Sequence, residues 1–221
     1  TGGLQTEVVL GSRSTHLRAG FGHVPVAGDV LAVGAAGREA GARVLPEPAY
    51  FTQTTLRVMW GPQSEYFTKA ERDRFAAANF TIRPERDRMG IRVQPDCGPV
   101  HADAGLTIAS DAINLGDVQI TGDGTPAILL ADRGPSGGYP RIATLATADI
   151  PALAQMQVGA KFRLEVVTRE QAVALLAVFR ERIRALPGQV APALRDPRDM
   201  VDLLSYNLIG GVMRGDEHDE D

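Results

Sequence analysis

The chain has 221 residues, 44% of them hydrophobic, 23% charged and 5% aromatic, with a formal net charge of −4. That length buries a core without cross-links, the charge leaves no basic footprint for nucleic acid, and Cys97 as the single cysteine excludes an intrachain disulfide. No apolar run reaches the roughly 18 residues of a membrane span, and the opening TGGLQTEVVL lacks the features of a secretory signal.

These features, with the reduced state that a lone cysteine fits, point to the cytoplasm. The missing initial methionine points to a processed product or a fragment. The 24 glycines and 14 prolines, set against few aromatics, favour short elements and many turns, hence a mostly β fold with a few helices.

Short strands are predicted at 8–10 and 29–33, joined by a glycine-punctuated polar loop carrying Arg13 and Arg18. Two arginines on permissive backbone suit a bidentate clamp on a carboxylate or phosphate, and equally suit a solvated surface. Residues 35–54, rich in Gly, Ala and Pro, read as a connection between subdomains. A strand follows at 55–59, and Thr68 to Glu71 reads as a capping box opening a helix from Lys69 to about Asn79, whose ERDR segment is expected to be a wet face.

Strands at 80–83 and 91–94 flank PERDRMG, where Pro84 is expected to start the turn and Gly90 to supply a positive φ. Asp87 and Arg88 stand at that junction as a turn salt bridge or as ligand-binding groups. Cys97, His101 and Asp103 cluster at 96–105 without the paired spacing of a zinc site, so no metal is assigned.

Runs at 106–110, 117–121, 127–131, 141–146 and 162–167 form a dense series of strands with the spacing of a barrel or sandwich, and Gly122-Asp123-Gly124 makes the reversal between two of them. Asp149 with Pro151 starts a short helical turn. Thr168 to Gln171 is a second capping box, and Ala172, Leu175, Leu176, Phe179, Ile183 and Leu186 give an amphipathic helix over 169–185 whose stripe is expected to pack on the core. A further helix is expected from Asp196-Pro197, rich in Met200, Val201, Leu203, Leu204 and Leu208, and the tail GDEHDED is expected to be disordered.

The serine-hydrolase elbow, the Walker A pattern and the dinucleotide fingerprint are absent from the sequence. Gly134 to Gly138 is glycine-rich but has no lysine and runs into a strand, so it does not set a helix N-terminus against a phosphate. The stretch from Gly122 to Pro140 remains, delivering Asp132, Arg133 and Tyr139 into a loop after an apolar run. Asp132 is a candidate base or a partner that orients Arg133, Arg133 a candidate anion binder and Tyr139 a candidate hydrogen-bond donor. Gly137 and Gly138 allow backbone amides to approach a ligand. A purely structural Asp-Arg turn explains the same residues.

The segment DGTPAILLADRGPSGGYPRIATLATADIPALAQMQVGAKFRL (123–164), with VLGSRSTHLRAGFG (9–22), GPQSEYFT (61–68) and DRMGIRV (87–93), resembles the allophanate hydrolase subunit-two family. That family is also called KipA-like, or the biotin-dependent carboxyltransferase A/B domain. The resemblance spans roughly Gly2 to Ala177. It implies a cyclophilin-like β-barrel over 55–186 with C-terminal amphipathic helices, residues 1–40 as the remainder of an N-terminal subdomain whose first part is missing, and a helix and acidic tail over 187–221.

The chain departs from the family pattern at Gly134-Pro135-Ser136, where Gln-Thr-Thr is usual, at Ser110-Asp111-Ala112, where Ser-Glu-Gly is usual, and at Leu115 to Gln119, where Pro-Gly-Ala-Ile-Gln is usual.

The family includes the third component of the bacterial ATP-dependent 5-oxoprolinase and the carboxyltransferase part of urea carboxylase. The resemblance therefore implies an amide-acting hydrolase component, opening 5-oxoproline to glutamate with ATP, active only beside a KipI-like subunit and a 5-oxoprolinase A-type subunit. It adds Gln119 to the expected substrate-binding residues Arg13, Asp87, Arg88, Gly137 and Gly138, beside Asp132, Arg133 and Tyr139 as the expected catalytic ones. The alternatives are a module moving CO₂ from carboxybiotin to urea or a similar amide, and a non-catalytic regulatory partner of a KipI-like protein. No biotin-attachment sequence occurs in the chain, and the family name does not bring the serine-lysine signature of an amidase.

Overall fold

The apolar alternation along the middle of the chain closes into a barrel in the computed structural model, which describes residues 3–35, 43–102 and 105–193. In chain order the strands are β1 (Arg43–Val44), β2 (Thr55–Trp60), β3 (Asn79–Arg86), β4 (Gly90–Pro95), β5 (Asp111–Ala112), β6 (Asp117–Ile120), β7 (Pro126–Leu129), β8 (Ser136–Gly137), β9 (Arg141–Leu145), β10 (Lys161–Val166) and β11 (Ala191–Pro192). The helices are α1 (Lys69–Ala77), α2 (Ile150–Gln155) and α3 (Arg169–Ala185). The chain divides into two units, Thr1–Val44 with Val190–Asp221, and Leu45–Gln189.

In the first unit β1 pairs with β11, and the expected strands at 8–10 and 29–33 are replaced by isolated bridges, Leu4 to Val33 and Val9 to Ser12. The reason is burial: Leu10, at φ 51°, and Val30 are almost fully exposed, so no apolar face holds a ladder together.

In the second unit the strands close in the order β10-β2-β9-β6-β7-β4-β3, with β10 parallel to β2 and every other neighbour antiparallel. Strict alternation in β2, β3, β4 and β10 turns Leu56, Val58, Phe80, Ile82, Ile91, Val93 and Phe162 inward. Phe75 of α1 meets Phe80 edge-on with centroids 5.1 Å apart, and Phe80 stacks on Phe162 at 5.4 Å. Such pairs add about 0.5–1.5 kcal/mol each beyond the area they bury.

The expected turn at Pro84 lies three residues further on. Pro84 sits within β3 at a register shift between Ile82 and Arg86, where a residue without an N–H is tolerated. Asp87 makes the reversal, its carboxylate accepting from the amides of Met89 (2.7 Å) and Gly90 (3.1 Å). Gly90 is not in the left-handed region. Its lack of a side chain matters for another reason, since a Cβ there would stand 3.0 Å from the Ile128 carbonyl oxygen. The run at 106–110 makes no strand; Ile108 donates one amide bond to Gly138.

Thr68 caps α1 through the Glu71 amide as expected, but Glu71 does not reach back to it. Its carboxylate binds Arg74 and accepts from the His101 amide (2.7 Å), while Arg74 reaches the carbonyls of Cys97 and Pro99. Part of the expected wet face is thus a bracket holding the loop before β5. Among the described residues no group of three His, Cys, Asp or Glu side chains is placed to hold a metal ion, and Asp103 lies outside those residues.

The capping box of α3 is complete, Thr168 and Gln171 satisfying each other's amides. Its stripe does not pack as core. Only Ala172 is buried, because the barrel is already closed and filled and α3 lies outside it against β2 and the turn Thr147–Asp149. The helix expected from Asp196 and the acidic tail lie outside the described residues. Among the described residues no helix is long and apolar enough to cross a membrane.

Candidate functional site

The antiparallel register that sets Gly90 opposite Leu129 brings the ends of β4 and β7 level, so Arg88 and Asp132 meet there. The Asp132 carboxylate accepts from Arg88 Nε (2.7 Å) and Nη2 (2.9 Å), and its amide donates to the Arg88 carbonyl (2.8 Å). Asp132 therefore pairs with Arg88, 44 positions away, rather than orienting its neighbour Arg133. This hydrogen bond and the charge of Asp132 raise the Arg88 pKa. Arg133 turns the other way and makes long contacts to the carbonyls of Ile113 (3.4 Å) and Leu130 (3.5 Å).

The loop returns as β8, which pairs with β5 in a two-stranded ribbon, Asp111 opposite Gly137 and Ala112 opposite Ser136. Beneath it Gln119 of β6 is 7% exposed, and its Nε2 has no acceptor among the described residues. A Cβ on Gly137 would stand 2.5 Å from that nitrogen, so only glycine lets the ribbon lie this close to the amide. Gly138 accepts from the Ile108 amide, and Tyr139 stands exposed on the rim. Asp87 is occupied with the β3–β4 reversal, and Arg13, in the other unit, donates to the carbonyl of Thr6 in its own loop.

The structure thus sets Gly137 of the ribbon against Gln119, with Gly138 next in the chain, and sets Asp132 with Arg88 in a separate clasp.

Sequence reasoning missed Arg141. Its guanidinium, 4% exposed, binds Gln63 (2.8 Å), Asp117 (3.3 Å), the carboxylate of Asp111 and the carbonyl of Ala112. Asp117, buried at the other end, also accepts from the Asn114 amide and the Thr144 hydroxyl (2.7 Å each). This hub fixes β5, and through β5 the ribbon over Gln119. The Asp111 carboxyl is held below its usual range first by the Ala112 amide, then by Arg141 and Gln63. The available signal was Arg141 following Tyr139-Pro140 at the start of a strand, a charge where an inward side chain is expected.

A second pair, with a buried acid and a half-buried arginine, was also missed. The carboxylate of Asp149 accepts from the Arg57 amide (2.6 Å) and guanidinium instead of capping α2.

The family model described as carboxyltransferase domain, subdomain A and B, matches residues 1–166. The C component of the 5-oxoprolinase of Haemophilus influenzae is 33% identical over 178 residues, covering 79% of this chain and 56% of that protein. The chain thus spans about half the length of the curated relatives it matches. Of solved structures, TTHA0988 superimposes with a TM-score of 0.62 at 31% identity, over 74% of this chain and 32% of that one. The K. lactis urea amidolyase gives 0.66 at 21% identity, over 89% and 14%, a likeness of fold.

Proposed function

The chain belongs to the carboxyltransferase domain family, subdomains A and B, and on that footing we propose that it serves as the C-type component of an ATP-dependent 5-oxoprolinase. The observation that carries this is its 33% identity, over 79% of its length, to a protein named for that role. In this reading it acts with a KipI-like subunit and an A-type subunit to open 5-oxoproline to glutamate in the cytoplasm.

A lactam carbonyl needs a hydrogen-bond donor in a water-poor setting. Gln119 Nε2 is such a donor, and lifting the Asp111–Ala112 and Ser136–Gly137 ribbon exposes it to the substrate. Gly137 allows the close approach, and Tyr139 on the rim donates to the ring once bound. Of the three arginines considered, Arg133 is the freest to take the substrate carboxylate, since its present contacts are long and Arg88 and Arg13 are engaged. Asp132 acts by fixing Arg88 and the loop. The Gly134 to Gly138 loop leads into strand, without a lysine or a helix N-terminus to cradle phosphates, so in this reading nucleotide chemistry is assigned to the partner subunits.

Mixing the purified chain with its neighbouring subunits and measuring glutamate release tests the proposal. ATP-dependent release that requires this chain is expected, and its absence overturns the reading. The family description favours one second reading, a module that carries CO₂ from carboxybiotin to an amide nitrogen. Biotin-dependent carboxylation of urea in place of glutamate release would establish it.

A further inference from the structure

A second concavity lies on the same unit and is lined by none of the residues of the 132–140 loop. It is a cavity of about 550 Å³ between the apolar stripe of α3 and the segment 45–48, walled by Leu45, Pro46, Leu175, Phe179, Ile183 and Leu186. Apolar walls, a few polar groups and a volume of some 300–1,000 Å³ characterise sites for small molecules. The stripe that buries only Ala172 thus forms one wall of a compartment rather than core.

Arg57 and Asp149 also line the cavity. Asp149 is 1% exposed, and its two oxygens are taken by the amide and Nη2 of Arg57, which fixes the guanidinium from behind. Nη1 of Arg57 donates to no described residue. Arg182, on the wall, makes no ion pair among the described residues. Two cationic donors therefore face one apolar space. Glu47, exposed on the lining, disfavours a second negative charge on anything bound there.

We propose that this cavity binds a small amphipathic monocarboxylate, with its carboxylate between Arg57 and Arg182 and its hydrocarbon body along α3. A charge-assisted hydrogen bond from the remaining Nη1 of a pre-fixed guanidinium, with Arg182 opposite, supplies orientation, and burial of the chain supplies most of the affinity. The proposal is independent of the lactam reading, because no residue assigned there lines this cavity.

Isothermal titration of the full chain with octanoate, and with octanamide as the uncharged control, tests it. Saturable one-site binding of octanoate is expected, with octanamide at least about tenfold weaker. Arg182→Gln, at an exposed position, is expected to weaken octanoate about tenfold, and Leu175→Trp to abolish binding by filling the space. Absence of saturable octanoate binding, equal affinity for octanamide, or unchanged affinity in Arg182→Gln overturns the proposal. Arg57→Ala is avoided because it strands Asp149 as a buried unpaired charge. If Leu175→Trp does not fold, Arg182→Gln decides alone.

Discussion

Two arginine–aspartate pairs flank the same loop and differ in nearly everything but chemistry. Arg88 and Asp132 make the better geometry, two parallel hydrogen bonds, yet Arg88 is 77% exposed. Arg141 and Asp117 meet at a single longer contact but are 4% and 2% exposed, and their remaining side-chain donors and acceptors bind Gln63, Asp111, Ala112, Asn114 and Thr144. Water screens the first pair and does not reach the second. Geometry alone therefore ranks them wrongly. The exposed clasp orients a turn, whereas the buried hub decides whether the ribbon over Gln119 exists.

The sharpest way to break this contrast is Arg141→Ala, which strands the buried Asp117 charge. A loss of roughly 3–5 kcal/mol is expected, measured as a fall in urea midpoint at unchanged slope, together with loss of any activity in the reconstituted complex. Next is Gly137→Ala, whose Cβ must displace the Gln119 amide. Overpacking of this kind costs about 1–3 kcal/mol. Glutamate release should drop far more than stability, and Gln119→Ala should reproduce the drop without the strain.

Smaller still is Arg88→Ala, expected to leave the melting temperature within error of the parent and to lower turnover only modestly. A collapse of turnover in Asp132→Asn with intact folding would return Asp132 to the role of a base.

The smallest effect is a pH response at the exposed turns. Asp123 is pulled down to about 2, chiefly by the Thr121 hydroxyl and then the Thr125 amide, and Glu85 to about 2, chiefly by Arg83. A carboxyl depressed in the folded state stabilises above its unfolded pKa near 4 and loses that contribution as pH falls toward about 2. Asp123→Asn combined with Glu85→Gln should flatten the stability curve between about pH 4 and pH 2, so that the variant is less stable than the parent at about pH 7 and converges with it toward about pH 2.

Much of the barrel was legible because its strands alternate. β2, β9 and β10 fall within a residue of their expected ends; β2 and β10 turn one face inward and one outward, whereas β9 is buried along nearly its whole length. The runs at 8–10, 29–33 and 106–110 look the same over a few residues but find no sheet edge to join, and burial, which decides between the two, is not a local property.

The site was legible only in part. Gln119 and Gly137 lie against each other across the ribbon, and their role toward a substrate stays a proposal. The partner of Asp132 was not legible, because register places Arg88 beside it across the β4–β7 ladder, whereas sequence proximity favoured Arg133. Arg141 and Arg57 were missed for a related reason. A charged residue in a strand reads as outward-facing until its buried acid is known, and Asp117 and Asp149 lie on other elements.

The parallel pairing of β10 with β2 has a consequence for how the protein is made. Thr55 is matched with Arg163, roughly half the chain length away, and β10 also completes the other side by pairing with β3. A ribosome that has released every strand up to β9 still holds an open sheet with two unpaired edges, the kind of template that recruits other chains. Closure waits for a segment made late, so folding of this domain is expected to be slow and concerted at its last step. That window is where a chaperone, or a partner protein synthesised alongside, has most to contribute.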